Sequence, residues 1–273
     1  MIVDGKAIAA KLYEELTARV AACKVAPHLT VFTCAPNHAT RAYLDLKRRH
    51  AFALGVGFSV VEILPETEPE LAASSVAAAV PRTNGIIVQL PFPPGFTTEP
   101  LIAAIPPSHD VDGFHTTSDN GGVLPPVVGA IAKIAEVHQV SFAGQRVVVL
   151  GAGRLVGQPA ALWAKAMGAE VTIVTETTPD RAATIKAADI IISGVGKPGL
   201  VTPAMVKPRV KVFDAGTSEA GGQLVGDVDP AVANEAALFT PVPGGIGPLT
   251  VACLFDNLLT LSAASGNVSA APK

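Results

Sequence analysis

The chain has 273 residues, 49% of them hydrophobic and 16% charged, with a formal net charge of -3. So weak an acidic balance gives no basic surface for nucleic acid and no polybasic segment for a membrane, which leaves small-molecule chemistry as the leading class. Three separated cysteines, Cys23, Cys34 and Cys253, form neither a disulfide framework nor a CxxC metal site and fit a reducing cytoplasm.

Asp4, Lys6, Lys11, Glu14 and Glu15 interrupt what would be the apolar core of a signal peptide, so no secretion signal is expected. No run of about 18 uncharged apolar residues occurs, so no membrane span is expected either. Ile8, Leu12, Leu16 and Val20 recur at helical spacing from residue 5 to about 22, with Asp4 as N-cap. The β-rich run LTVFTCA follows, then a helix over 38–54, the strand GFSVVEIL, a helix over 69–80 and the strand GIIVQL. This is the alternation of parallel βαβ units.

Between 91 and 126 the texture changes to PFPPGFTTEP, PPSH, DNGG and LPP, turn-rich chain expected to cross between two domains and to hold one helix. Alternation then resumes with the helix VVGAIAKIAEVH, the strand RVVVLG, a helix from about 154, the strand AEVTIVT, a helix over 179–187, and the strands ADIIISGV and VKVFDAG. LTVACLFDNLLTLS reads as a closing helix that packs back on the first domain, and SAASGNVSAAPK as a frayed tail. The expected architecture is α/β in two domains: 1–120 with 247–264, a Rossmann-like domain over 121–246, and a flexible tail over 265–273.

RVVVLG runs directly into GAGRLVG, which places Gly151, Gly153 and Gly157, with Ala152 and Arg154 between them, at a strand-to-helix junction. Glycine there lets the backbone approach a pyrophosphate lying on the free N–H groups of a helix N-terminus. A glycine turn serving only close packing would have the same spacing. Glu176 ends the next strand, 25 positions beyond Gly151, where a Rossmann fold keeps the carboxylate that binds an adenosine ribose hydroxyl. A carboxylate repels a 2'-phosphate, so NAD is expected over NADP, although Arg154 could still reach a phosphate; a solvated strand-end glutamate is the bland alternative.

In RAYLDLKRRH, Tyr43 and Lys47 lie one helical turn apart and share a face. Helical geometry alone favours a solvated basic face with a tyrosine on it. Six histidines without HxxxH or HExxH spacing, and two DVD triplets without calcium-loop spacing, give no metal site.

Tyr43-x-x-x-Lys47, GIIVQLPFP at 85–93, DVDGF at 110–114, GDVDP at 226–230 and TPVPGGIGPLT at 240–250 together resemble the bifunctional methylenetetrahydrofolate dehydrogenase/cyclohydrolase family, in order from about residue 3 to residue 262. The resemblance implies oxidation of 5,10-methylenetetrahydrofolate by NAD or NADP and hydrolysis of the 5,10-methenyl product to 10-formyltetrahydrofolate, with tetrahydrofolate as the carrier. By the family's pattern Lys47 is the catalytic residue of hydrolysis and Gln89 holds it. Asp112 anchors the pterin and Tyr43 stacks on the folate. Val88 and Leu90 flank Gln89 at the substrate, and Pro243, Gly244, Gly245, Gly247 and Pro248 wrap the folate. Thr217 touches the cofactor through its backbone, and Asp110 is assigned to the turn. A cytoplasmic homodimer in one-carbon metabolism and purine biosynthesis is also implied.

Departures from the family's pattern include Gly151-Ala152-Gly153 for Gly-Arg-Ser, Glu176 for serine or a basic residue, LPPVV (124–128) for Pro-Cys-Thr-Pro, Thr40 for serine, and the loop CAPNHA (34–39). The first two remove partners of a 2'-phosphate. Two other readings compete: a two-domain dehydrogenase of shikimate-like acids, and a nucleotide-sensing module without chemistry.

Overall fold

β-branched runs bounded by glycine, proline and asparagine become the strands. The structure, a computed structural model, describes residues 1–115 and 122–264. Residues 119–121 of DNGG, the expected boundary at 120/121 and the expected tail over 265–273 lie outside the described residues.

One compact unit comprises Lys11–Pro126 and Val251–Lys273. Its elements are α1 (Gly5–Ala21, the unit taking it from Lys11), β1 (His28–Cys34), α2 (His38–Leu54), β2 (Gly57–Ile63), α3 (Pro69–Ala79), β3 (Gly85–Val88) and α4 (Glu99–Ala103). Asp4 caps α1 as expected, its carboxylate accepting from Ala7 N at 3.0 Å. The strands pair in parallel in the order β2-β1-β3, with Leu29 opposite both Phe58 and Gly85. β1 is central and buried from Leu29 to Cys34, as a strand covered on both faces must be. Phe32, Cys34, Ile63, Val76, Ile86, Val88, Leu101 and Ile105 form a core cluster here. β3 stops two residues short of GIIVQL: Gln89 N still donates to Phe32 O at 2.8 Å, but Pro91 has no N–H with which to continue a ladder. The helix expected between 91 and 126 is α4, followed by a 3-10 turn at Pro107–His109.

The other unit comprises Met1–Ala10 and Val127–Thr250. In chain order it is built from α5 (Pro126–Val137), β4 (Arg146–Leu150), α6 (Gly157–Ala166), β5 (Glu170–Val174), α7 (Arg181–Ala187), β6 (Ile190–Ser193), β7 (Lys211–Asp214), β8 (Ser218–Ala220), β9 (Gln223–Val225), β10 (Leu238–Phe239) and the start of α8 (Ile246–Ala264). Five strands pair in parallel in the order β10-β7-β6-β4-β5, and β8 and β9 form a separate antiparallel hairpin. Strand order reverses between β4 and β6, so the carboxyl ends of these two strands flank the crevice where doubly wound folds hold ligands.

One expectation is corrected here. α6 begins at Gly157 rather than about 154, because the glycine loop occupies those residues and Val156, at φ -131°, is still outside the helix. Residues 1–10 group with the second unit, where Val3 N donates to Phe239 O and Phe239 N to Met1 O, both at 2.9 Å. A pairing across more than 230 positions leaves no local pattern. The closing helix groups with the first unit from Val251. Asn257 Nδ2 donates there to Val111 O and Leu124 O at 2.9 and 2.7 Å, and Asp256 pairs with Arg19. Among the described residues α8 alone is long and apolar enough to cross a membrane, and two thirds of it is buried inside the protein; core packing accounts for its apolarity.

Candidate active site

α2 carries the first cluster. Asn37 caps it, accepting from Thr40 N at 2.8 Å, and Gly55, with φ +76°, closes it in the left-handed region. Its buried residues are Thr40, Leu44, Lys47, Ala51 and Leu54, a stripe at spacings of four and three that is the helix's apolar face. Lys47 sits in the middle of that stripe and is 3% exposed. Arg48 and Arg49 point to the exposed face, where Arg48 pairs with Asp45 at 2.6 Å. The basic run therefore divides into one buried amine and two solvated guanidinium groups.

Lys47 Nζ donates to Gln89 Oε1 at 2.8 Å, and Gln89 Nε2 donates onward to Leu90 O at 3.0 Å, so the amide is held from both ends. The Tyr43 ring centroid lies 4.8 Å from Lys47 Nζ. Burial drives the Lys47 ammonium below its usual range, and Asp112 opposes that shift. Asp112 is pushed up to about 6 by burial, with Lys47 pulling down and Asp110 adding to the rise. Tyr43 is pushed up to about 12, again by burial first and Asp112 second. Tyr43, Lys47, Gln89 and Asp112 are thus brought together as an electrostatically coupled group. An amine shifted in this direction gives up its proton more readily than an exposed lysine and can then accept one. Asp112 accepts no hydrogen bond among the described residues and is open to N–H donors of a ligand. Asp110 is fully buried, with Oδ2 accepting from His115 N and facing His115 Nδ1 at 2.7 and 3.0 Å, which fits its assignment to the turn.

The segment Pro243–Pro248 lies in the second unit. The Val242–Pro243 peptide is cis, Gly5 N donates to Gly244 O at 3.0 Å, and Gly247 and Pro248 fall in the first turn of α8.

The glycine loop leaves β4 at Gly151, whose φ of +89° favours glycine. Gly157 packs so closely that a Cβ there would lie 2.2 Å from Gly151 O. Ala152, Gly153 and Arg154 are exposed in the loop ahead of α6. Glu176, two residues past β5, is exposed, and Lys197 Nζ lies 3.5 Å from its Oε1. Thr217 is exposed between β7 and β8.

Sequence reasoning missed Lys197 as the partner of Glu176, and it gave no role to the buried group of Ser193, Asp214 and Thr240, at the ends of β6, β7 and β10, with Asp227, which follows β9. An acid directly after apolar strand residues, as in KVFD, is the signal for Asp214. It also missed Tyr13, stacked on His50 with ring centroids 4.6 Å apart.

Two family models match the chain: tetrahydrofolate dehydrogenase/cyclohydrolase, catalytic domain, over residues 3–112, and tetrahydrofolate dehydrogenase/cyclohydrolase, NAD(P)-binding domain, over residues 125–265. The bifunctional protein FolD of Thermus thermophilus is 37% identical over 267 residues, covering 94% of each chain, and that of Acidiphilium cryptum is 38% identical over 276 residues, covering 96% of this chain and 98% of its own. Among solved structures, FolD of Campylobacter jejuni superposes with a TM-score of 0.92 at 30% identity, covering 97% of this chain and 99% of its own. FolD of Trypanosoma brucei, solved in complex with NADP and an inhibitor, gives 0.89 at 33%, covering 98% and 99%.

Proposed function

The chain belongs to the tetrahydrofolate dehydrogenase/cyclohydrolase family, and on that premise we propose that it oxidises 5,10-methylenetetrahydrofolate and hydrolyses the 5,10-methenyl product to 10-formyltetrahydrofolate. The observation that carries this reading is Lys47, an amine 3% exposed on an apolar helix face and bonded to Gln89. A nucleotide sensor has no need of that lysine, and the relatives matched over nearly their whole length favour the folate reading over a shikimate-like dehydrogenase as well.

Hydrolysis needs a proton taken from water as it adds to the methenyl carbon, and a proton delivered to the ring nitrogen as the carbon–nitrogen bond breaks. Lys47 performs both, because burial holds its amine low enough to accept and its ammonium can then donate. Gln89 fixes the amine by accepting its hydrogen bond. Asp112 takes the pterin N–H donors and Tyr43 stacks on the folate rings. Val88 and Leu90 supply backbone beside Gln89, and Pro243, Gly244, Gly245, Gly247 and Pro248 lie against the folate.

A bound nicotinamide supplies the hydride acceptor. The protein's part is to hold it in line. The exposed loop from Ala152 to Arg154, ahead of α6 at the strand-order switch, fits a pyrophosphate. Thr217 adds a backbone contact, and Glu176 accepts from the ribose hydroxyls, which favours NAD over NADP. Lys197 beside Glu176 weakens that preference, since it offers a cation to a 2'-phosphate. Glu176→Ser should move the ratio of kcat/KM for NAD over NADP toward NADP by several-fold; a preference for NADP already present and unchanged by the substitution would sink the assignment. The enzyme acts in the cytoplasm as a homodimer, and its 10-formyl product is a donor for purine biosynthesis.

A spectrophotometric assay with methylenetetrahydrofolate and each nicotinamide cofactor, following the methenyl product and its decay, tests the reading. No turnover with either cofactor, or a methenyl product that does not decay faster than without protein, would reject it.

A further inference from the structure

Outside the lysine cluster, a dense buried polar group lies in the second unit: Ser193 and Asp214 end β6 and β7, Thr240 follows β10, and Asp227 follows the β8–β9 hairpin. Asp227 is fully buried. Its Oδ2 accepts from Ser193 Oγ at 2.5 Å and from Val195 N at 2.8 Å, and its Oδ1 accepts from Lys197 N at 2.7 Å. The whole turn leaving β6 is therefore gathered on one carboxylate.

Asp214, 1% exposed at the end of β7, does the same for neighbouring chain. Its Oδ1 accepts from Gly216 N at 2.9 Å and Asp227 N at 3.2 Å, and its Oδ2 accepts from Val228 N at 2.9 Å. Gly216 passes so close to Asp227 that a Cβ there would lie 2.1 Å from the Asp227 Cγ. The turns after β6 and β7 are also tied to each other, Ser218 Oγ donating to Gly196 O at 2.7 Å and Ala215 N to Ser193 O at 2.8 Å.

These two turns stand at carboxyl ends of parallel strands, and the first borders the switch point directly: a Cβ on Gly151 would lie 3.1 Å from Val195 Cγ2. Two ionisable groups are buried side by side where hydroxyls or amides could satisfy ordinary turns. A carboxylate that accepts several N–H bonds fixes their directions more strongly than a neutral acceptor does.

We propose that Asp227 is a positioning residue for cofactor binding: its carboxylate sets the backbone of Val195–Lys197 in the geometry that receives the nicotinamide nucleotide, while Asp214 holds the backbone N–H groups of Asp227 and Gly216. This rests on the nucleotide reading of the second unit. Asp227 does not touch the ribose 2' position in this account, so it governs affinity for NAD and NADP alike and has no part in hydrolysis, whose residues Tyr43, Lys47, Gln89 and Asp112 belong to the other unit.

Asp227→Asn keeps the shape but turns one acceptor into a donor that in either orientation faces a backbone N–H, that of Val195 or of Lys197. The test is isothermal titration of NAD and of NADP into wild type, Asp227→Asn and Ser193→Ala, with methenyltetrahydrofolate hydrolysis measured without nucleotide on the same samples. Asp227→Asn should raise Kd for both nucleotides about tenfold or more, the size expected when a charge-assisted bond is lost, with their ratio preserved and hydrolysis within twofold of wild type. Ser193→Ala, a milder change that leaves both backbone bonds in place, should raise both Kd values by about threefold, near the net worth of one hydrogen bond. Kd values unchanged in both variants, or hydrolysis falling in step with nucleotide affinity, would overturn the proposal. Wild-type protein that binds neither nucleotide would overturn the cofactor reading beneath it, and the proposal with it.

Discussion

The two buried polar groups invert each other. Around Lys47 the polar atoms are few and underused: among the described residues the amine has one hydrogen bond, to Gln89, and the Asp112 carboxylate accepts none. Around Asp227 every carboxylate oxygen is occupied, by backbone N–H groups and one hydroxyl on Asp227 and by backbone N–H groups alone on Asp214. Both Asp112 and Asp214 are pushed up to about 6, chiefly by burial, yet for Asp214 three backbone donors resist the rise and Asp227 assists it. An unsatisfied buried charge is costly unless a ligand completes it, whereas a satisfied one fixes backbone. The first group is arranged for chemistry and the second for holding chain.

The largest expected effect that separates them is in Lys47→Ala. Methenyltetrahydrofolate hydrolysis should fall by about 10² to 10⁴, the range for losing a positioned proton-transfer group, with nucleotide affinity unchanged; a joint loss of both would erase the distinction. Next, Asp112→Asn should raise KM for the folate substrate by about tenfold or more, as for a lost hydrogen bond to a charged group, read from initial rates at saturating cofactor. A KM within twofold of wild type would show that the open carboxylate has no ligand to bind.

Stability against pH bears on the Asp112 carboxyl as well. Asp112 has a folded value near 6 against an ordinary 3.8, so across that window the native state binds more protons than the unfolded one and stability falls as pH rises. Asp112→Asn removes this contribution, and its thermal midpoint should drop less between those pH values than that of wild type. Asp189, lowered to about 2 by Lys207 and Arg146 against the opposing effect of burial, acts in a separate, more acidic window. At the small end, Asp45→Ala cuts the exposed pair with Arg48 and should cost about 0.5 kcal/mol or less, leaving both activities alone. A large effect there would mean that the basic face is more than solvated.

Much of this was readable from sequence. The bounds of α2, the alternation of strands with helices, the glycine turn after β4 and the closing helix follow from local periodicity and turn chemistry. The sequence pattern also reaches Lys47: counting from Thr40 through Leu44 to Ala51 and Leu54 puts it on the buried stripe, which argues against a solvated face. What stayed hidden depends on contacts distant in the chain. Met1 to Val3 pairs with Phe239, Asp227 gathers a turn more than thirty positions away, and Lys197 approaches Glu176 across the ends of two strands. No window of sequence contains both partners of such a contact.

The central claim is that burial makes Lys47 the proton-handling group of hydrolysis. The most direct measurement is the pH dependence of kcat for methenyltetrahydrofolate hydrolysis, corrected for the reaction without protein, in wild type and Lys47→Ala. Wild type should gain activity along a titration whose midpoint lies below the ordinary lysine value of 10.5, and Lys47→Ala should lose both the rate and that titration. A Lys47→Ala profile that keeps the wild-type midpoint and height would contradict the account.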